Sequence, residues 1–127
     1  MLKAFDVTRE QTTVGTVEVV VFRVTGYLDA HTAPRFEDAL HEALDEGHSC
    51  FVVDCVGLDY ISSAGLGVLI DAYRTVRPRH GRLAVAAMSP AIADIFDILG
   101  FSKVIEAYPD RTEALTSFGS PPAEGST

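Results

Sequence analysis

Two adjacent serines, Ser62 and Ser63, stand where an alternating apolar run gives way to a helical one, within Ile61-Ser62-Ser63-Ala64-Gly65. A hydroxyl at such a junction can act as a nucleophile, cap a helix or accept a phosphate. The nucleophile of an α/β-hydrolase sits in a Gly-x-Ser-x-Gly elbow, and Ile61 occupies the place of the first glycine. Its acid and base would have to come from Asp71 and His80, which no pattern positions. A phosphate-binding loop requires a glycine-rich run ending in Lys and Ser or Thr, and none occurs. His31, His41, His48 and His80 match no metal-ligand spacing and read as surface histidines, so neither a metal nor a cofactor is expected. Without triad, metal set or cofactor loop, the residues point to a binding module and not to an enzyme.

These residues must be held by alternating strands and helices. Period-2 apolar runs at Leu2–Arg9 and Val17–Thr25, joined near Thr12-Thr13-Val14-Gly15, predict an antiparallel pair. From Thr32, with Pro34 in the first turn, Phe36, Ala39, Leu40, Ala43 and Leu44 fall on one helical face, and Gly47 ends the helix. A strand follows over Cys50–Asp54, then a loop. A second helix starts near Ala64 and is expected to bury Leu66, Leu69, Ile70, Tyr73 and Val76, with Pro78 and Gly81 closing it. A strand at Arg82–Ala87 leads to Ser89-Pro90, an N-cap and first-turn proline for a third helix expected to bury Ile92, Ile95, Phe96 and Leu99 before Gly100. A strand near Lys103–Ala107 precedes a last helix, where Asp110 and Glu113 have capping-box spacing. The class is α/β. Residues 1–118 read as one domain, and the Gly/Ser/Pro-rich 119–127 as a disordered tail.

Composition narrows the partners. With 10 Lys+Arg against 18 Asp+Glu in 127 residues, the formal charge is −8, which disfavours nucleic acid. Arg74, Arg77, Arg79, His80 and Arg82 gather around the end of the second helix, where its dipole favours cations. The longest apolar run, Val17–Val24, contains Glu18 and Arg23 and is far shorter than the roughly 20 residues of a membrane span. No membrane insertion is expected, and the acid at Asp6 interrupts any signal-peptide core, so the expected location is the cytoplasm. Cys50 and Cys55 bound one short strand, about 16 Å apart by strand rise, and read as free thiols.

The segment from Val53 to Ile70, Val-Asp-Cys-Val-Gly-Leu-Asp-Tyr-Ile-Ser-Ser-Ala-Gly-Leu-Gly-Val-Leu-Ile, resembles the central motif of the STAS domain of bacterial anti-sigma factor antagonists. Gly26-Tyr27-Leu28-Asp29 and Phe96–Val104 are similar to two further family stretches, so the resemblance covers nearly everything up to about Phe118. It implies a STAS fold: a central mixed sheet of about five strands and about four helices, the N-terminal strands antiparallel and the rest largely parallel. It also implies a partner, a serine kinase that is itself the anti-sigma factor, which binds only the unmodified antagonist. A metal-dependent serine phosphatase reverses the phosphorylation. Carried over by position, Ser63 is the phosphoacceptor, with Ser62 the second candidate, standing where the family has Asp; Ala64 replaces a second hydroxyl. Asp29 matches a loop aspartate near that site, and the partner-binding residues are Asp29, Ser62, Ser63, Ala64, Gly65, Leu66 and Gly67. The other role the resemblance allows is a constitutive scaffold or regulatory subunit, in a stress-signalling assembly or beside a transporter ATPase.

Overall fold

Gly15, at φ +63°, occupies the first central position of a two-residue turn with Thr16, where primed hairpin turns need a positive φ. In the computed structural model, which describes residues 4–119, this turn joins β1 (Asp6–Val14) to β2 (Val17–Leu28). The two pair antiparallel from Val14 opposite Val17 to Asp6 opposite Thr25. There follow α1 (Ala33–Asp45), β3 (Cys50–Ile61), α2 (Ser63–Val76), β4 (Arg82–Ala86), α3 (Pro90–Ile98), β5 (Glu106–Tyr108) and α4 (Arg111–Phe118). Short 3-10 turns occupy Arg77–Arg79 and Phe101–Lys103.

The sheet order is β1-β2-β3-β4-β5, with all pairs after the first parallel. Each parallel step crosses over in the same direction and carries one helix, and crossovers of one hand put their helices on one face. Accordingly Val20, Phe22 and Val24 of β2, Phe51, Val53 and Cys55 of β3, and Leu83 and Val85 of β4 form one core with α1, α2 and α3. Phe22 lies at its centre, its ring 6.3 Å from Phe36 and 5.6 Å from Phe51. Burial there, with a smaller push from Asp54, raises the Cys55 thiol to about 12.

The opposite face, with Val19, Val21, Val52, Ala84 and Ala86, is left to α4, which buries only Ala114 and Phe118. Polar clamps supply the rest. At the start of α4, the Arg111 Nε donates to Asp54 at 2.9 Å, and its Nη1 donates to Glu10 at 3.0 Å. Asp54, 3% exposed, also accepts the Val56 N–H. At the far end Arg82 donates to the Ser117 carbonyl and hydroxyl, pairs with Glu106, and lies 4.2 Å over the Phe118 ring. Its positive charge there meets the negative end of the helix dipole. Among the described residues no helix is long and apolar enough to cross a membrane.

The five-strand, four-helix α/β prediction holds, while several boundaries move. The first strand is Asp6–Val14 and not Leu2–Arg9, because pairing runs up to the turn; Met1–Lys3 lie outside the described residues. β2 continues past Thr25 to Leu28, and the loop expected after Asp54 is strand to Ile61, because the two extensions pair with each other through register shifts. The last strand is Glu106–Tyr108 and not Lys103–Ala107: Phe101–Lys103 coil into a 3-10 turn, and buried Ile105 anchors the chain where β5 begins. Ile70 and Tyr73 are half-buried, while Ile95 and Leu99 are exposed, since Ile92 and Phe96 alone meet the core. His48 is half-buried beside Glu18 and Glu46, unlike a free surface histidine. The proposed tail beyond Gly119 lies outside the described residues.

Removing Arg111 leaves a buried carboxylate without its main counter-charge. Arg111→Ala is expected to lower the unfolding free energy by roughly 2–3 kcal/mol in urea titrations, with part of the loss recovered in the Arg111→Ala, Asp54→Asn double variant.

Candidate functional site

The C-terminal ends of β2 and β3 run side by side, and each feeds directly into a helix. The Ser62 N–H donates to the Leu28 carbonyl at 2.9 Å, tying the two exits together. Beyond Leu28, the Asp29 side chain folds over its own turn: Oδ1 accepts the N–H of His31 at 2.9 Å and of Thr32 at 3.1 Å. The Thr32 hydroxyl accepts the Asp29 N–H and donates to the Tyr27 carbonyl. Thr32 holds the N-cap position of α1 without a side-chain cap, its hydroxyl being taken up by Asp29 and Tyr27, and the Asp29 carboxylate closes the turn just ahead of the helix. These N–H donors, that of Thr32 first, hold the Asp29 carboxyl below its usual range, so it is a fixed negative charge at neutral pH.

Beyond Ile61, Ser62 is extended (φ −98°, ψ 176°) at the N-cap of α2, and its carbonyl accepts the Leu66 N–H at 3.0 Å. Its hydroxyl makes no cap and is buried without a hydrogen-bond partner. Ser63 is the first helical residue and is exposed. The N–H groups of a first helical turn have no partners within the helix. Here the cap side chain leaves them unoccupied, so a negative group carried by Ser63 would meet free donors and the positive end of the dipole.

Gly65 and Gly67 differ. A methyl on Gly65 would come within 2.8 Å of Leu28 Cγ and 2.9 Å of Ile61 Cγ1, so this glycine lets α2 start against both strand ends. Gly67 has nothing within 4 Å of a would-be Cβ and leaves bare helix surface instead of the close packing one could expect there. Leu66 is buried in the core, Ala64 half-buried. The structure thus gathers Asp29, Ser62, Ser63, Ala64, Gly65 and Gly67 at one end of the sheet, with Leu66 as an anchor beneath. Asp71 lies further along α2, exposed, and His80 beyond its far end, so neither belongs to the group.

One feature beside the site escaped sequence reasoning. Tyr27 and Tyr60 are register partners two residues before Asp29 and Ser62, with ring centroids 5.5 Å apart and both exposed. Their equal spacing from the two loops was the available signal.

The chain belongs to the STAS domain family, whose model matches residues 10–114. An anti-sigma F factor antagonist of Paenibacillus polymyxa is 29% identical over 100 residues, covering 77% of this chain and 85% of the relative. Among solved structures, an anti-sigma factor antagonist from Mycobacterium paratuberculosis superposes with a TM-score of 0.80 at 26% identity, covering 90% of this chain and 93% of that one. The Bacillus cell fate determinant SpoIIAA in its phosphorylated form shares the fold, with a TM-score of 0.68, 22% identity and coverage of 91% and 99%.

Substitution separates the two glycines. Gly65→Ala is expected to destabilise by about 1–3 kcal/mol through overpacking, and Gly67→Ala to be neutral or stabilising by up to about 1 kcal/mol, both read from thermal or urea unfolding.

Proposed function

We propose that this protein is an anti-sigma factor antagonist that binds a serine-kinase anti-sigma factor through the surface around Asp29 and Ser63 and is released when Ser63 is phosphorylated. The observation that carries this reading is Ser63 itself: an exposed hydroxyl on the first residue of α2, beside a cap that engages no first-turn N–H. The antagonist names of the similar proteins support the partner class.

Phosphorylation adds a charge of about −1.5 to −2 at neutral pH. At this position the helix dipole and free N–H donors accept it, so the modified chain keeps its fold. The change is felt outside. A kinase surface complementary to Ser63 loses shape fit and meets new negative charge beside Asp29, and the complex dissociates. Dephosphorylation by a metal-dependent serine phosphatase restores binding. Ser62 is the poorer acceptor, since its hydroxyl is buried. Having Ser62 in place of the family's Asp removes one carboxylate from the interface, which shifts kinase recognition toward Asp29 and the bare backbone at Gly67.

Wild type, Ser63→Ala and Ser63→Glu are compared in a pull-down from the native cell, with partners identified and phosphate mapped by mass spectrometry. The expected result is a serine kinase recovered with wild type and Ser63→Ala, absent with Ser63→Glu, and phosphate on Ser63. If all three hold the same partners and neither serine carries phosphate, the switch is wrong and the chain is a constitutive scaffold.

A further inference from the structure

Ser63 opens α2; at the other end of that helix, where the chain leaves through the Arg77–Arg79 turn and enters β4, lies a cleft of about 220 Å³. Val76 and Leu83, both buried, form its floor, and half-buried Tyr73 and exposed Val104 add apolar wall. Pockets for drug-sized ligands run to roughly 300–1,000 Å³, so the occupant of this one is small. The three ionic groups of the cleft, Arg77, Arg82 and Glu106, are not equivalent. Arg82 turns its Nε–Nη2 edge to the Glu106 carboxylate and reaches Ser117 with Nη1 and Nη2, and Glu106 also accepts the Tyr108 hydroxyl, so these two charges offset each other in place. Arg77 has no such counter-charge. Its Nη1 donates to the Tyr73 hydroxyl at 2.7 Å and its guanidinium carbon lies 5.5 Å from the Tyr73 ring centroid, two contacts that orient the group. Its Nε–Nη2 edge, the same two-donor fork that holds Glu106 on Arg82, has no partner among the described residues.

A planar guanidinium with one open edge takes a carboxylate through two parallel N–H···O bonds. A single uncompensated positive charge, with the Glu106 carboxylate on the same cleft, suits a monoanion and opposes a dianion such as a phosphate ester. The net charge of −8 gives the chain no general attraction for anions, so recognition depends on this local fork. The apolar floor and wall require an apolar body of few atoms behind the carboxylate. We propose that the cleft binds a small organic monocarboxylate, with its carboxylate on the Nε–Nη2 edge of Arg77 and its apolar body against Val76, Leu83 and Val104. The site shares no residue with the surface around Asp29 and Ser63 and does not rest on the reading of that surface.

The test uses the full chain, isotope-labelled, titrated with phenylacetate at constant ionic strength, with phenylacetamide, acetate and inorganic phosphate as comparison ligands. The expected result is saturable binding of phenylacetate with a dissociation constant below about 1 mM and amide shifts concentrated over residues 73–83 and 104–106. Phenylacetamide, which lacks the charge, and acetate, which lacks the apolar body, each bind at least about tenfold more weakly. Arg77→Gln lowers the affinity at least about tenfold, and Arg77→Lys, which keeps the charge without the fork, falls between. Val104→Trp leaves Arg77 in place but fills the cleft, and abolishes binding. Absence of saturable binding, acetate or phenylacetamide binding as tightly as phenylacetate, or Arg77→Gln or Val104→Trp without effect would overturn the proposal. So would shifts centred on the start of α2 around Ser63, or inorganic phosphate binding the same residues more tightly than phenylacetate.

Discussion

The strand order imposes the rest of the architecture. A sheet that adds its parallel strands in one direction, with crossovers of one hand, gathers its crossover helices on one face. This chain feels that constraint in two places. The exits of β2 and β3 become neighbours, each turning at once into a helix, so that two helix starts and their loops share one end of the molecule. The other face receives no crossover helix and must be closed by the short segment that comes after β5.

That second face shows how little apolar material can suffice when geometry is fixed by charge. α4 has eight residues and buries two. Its position comes from Arg111 reaching down to Asp54 and from Arg82 reaching up to Ser117 and Phe118. A buried ion pair contributes modestly to net stability because desolvation opposes it, but it tolerates only one placement. The arginines therefore do more to fix where the helix lies than to hold it down.

Much of this was legible in the sequence, and the failures have physical causes. Helices α1, α2 and α3 announce themselves through apolar spacing and through Pro34, Ser89-Pro90 and the closing glycines, all local signals. The extended β2 and β3 do not, because Gly26, Gly57 and Asp59 are poor strand formers, overridden by the mutual pairing of the two strand ends. The exposure of Ile95 and Leu99 was illegible for a related reason: periodicity shows that a flank is apolar, not whether the fold brings anything to cover it. Arg82 reads both as the start of a strand and as part of a basic cluster at the end of α2, but its service to α4, a contact across 35 residues, carries no local signal. At the candidate site the motif located Ser62, Ser63 and Asp29. Only the structure distinguished the buried hydroxyl from the exposed one, or showed the Asp29 carboxylate closing the turn ahead of α1.

The two cysteines acquire a meaning from the unlike faces of the sheet. They sit on the same strand, five residues apart, but Cys55 points into the layer of three helices and Cys50 packs toward the layer of one. Each thiol is thus a built-in reporter for a different half of the molecule. Loosening of α4 would bare Cys50 while leaving Cys55 silent, and only loss of the main helical layer would bring Cys55 into reach of a labelling reagent. The native chain, unlabelled and unmutated, therefore carries its own means of telling partial opening from global unfolding.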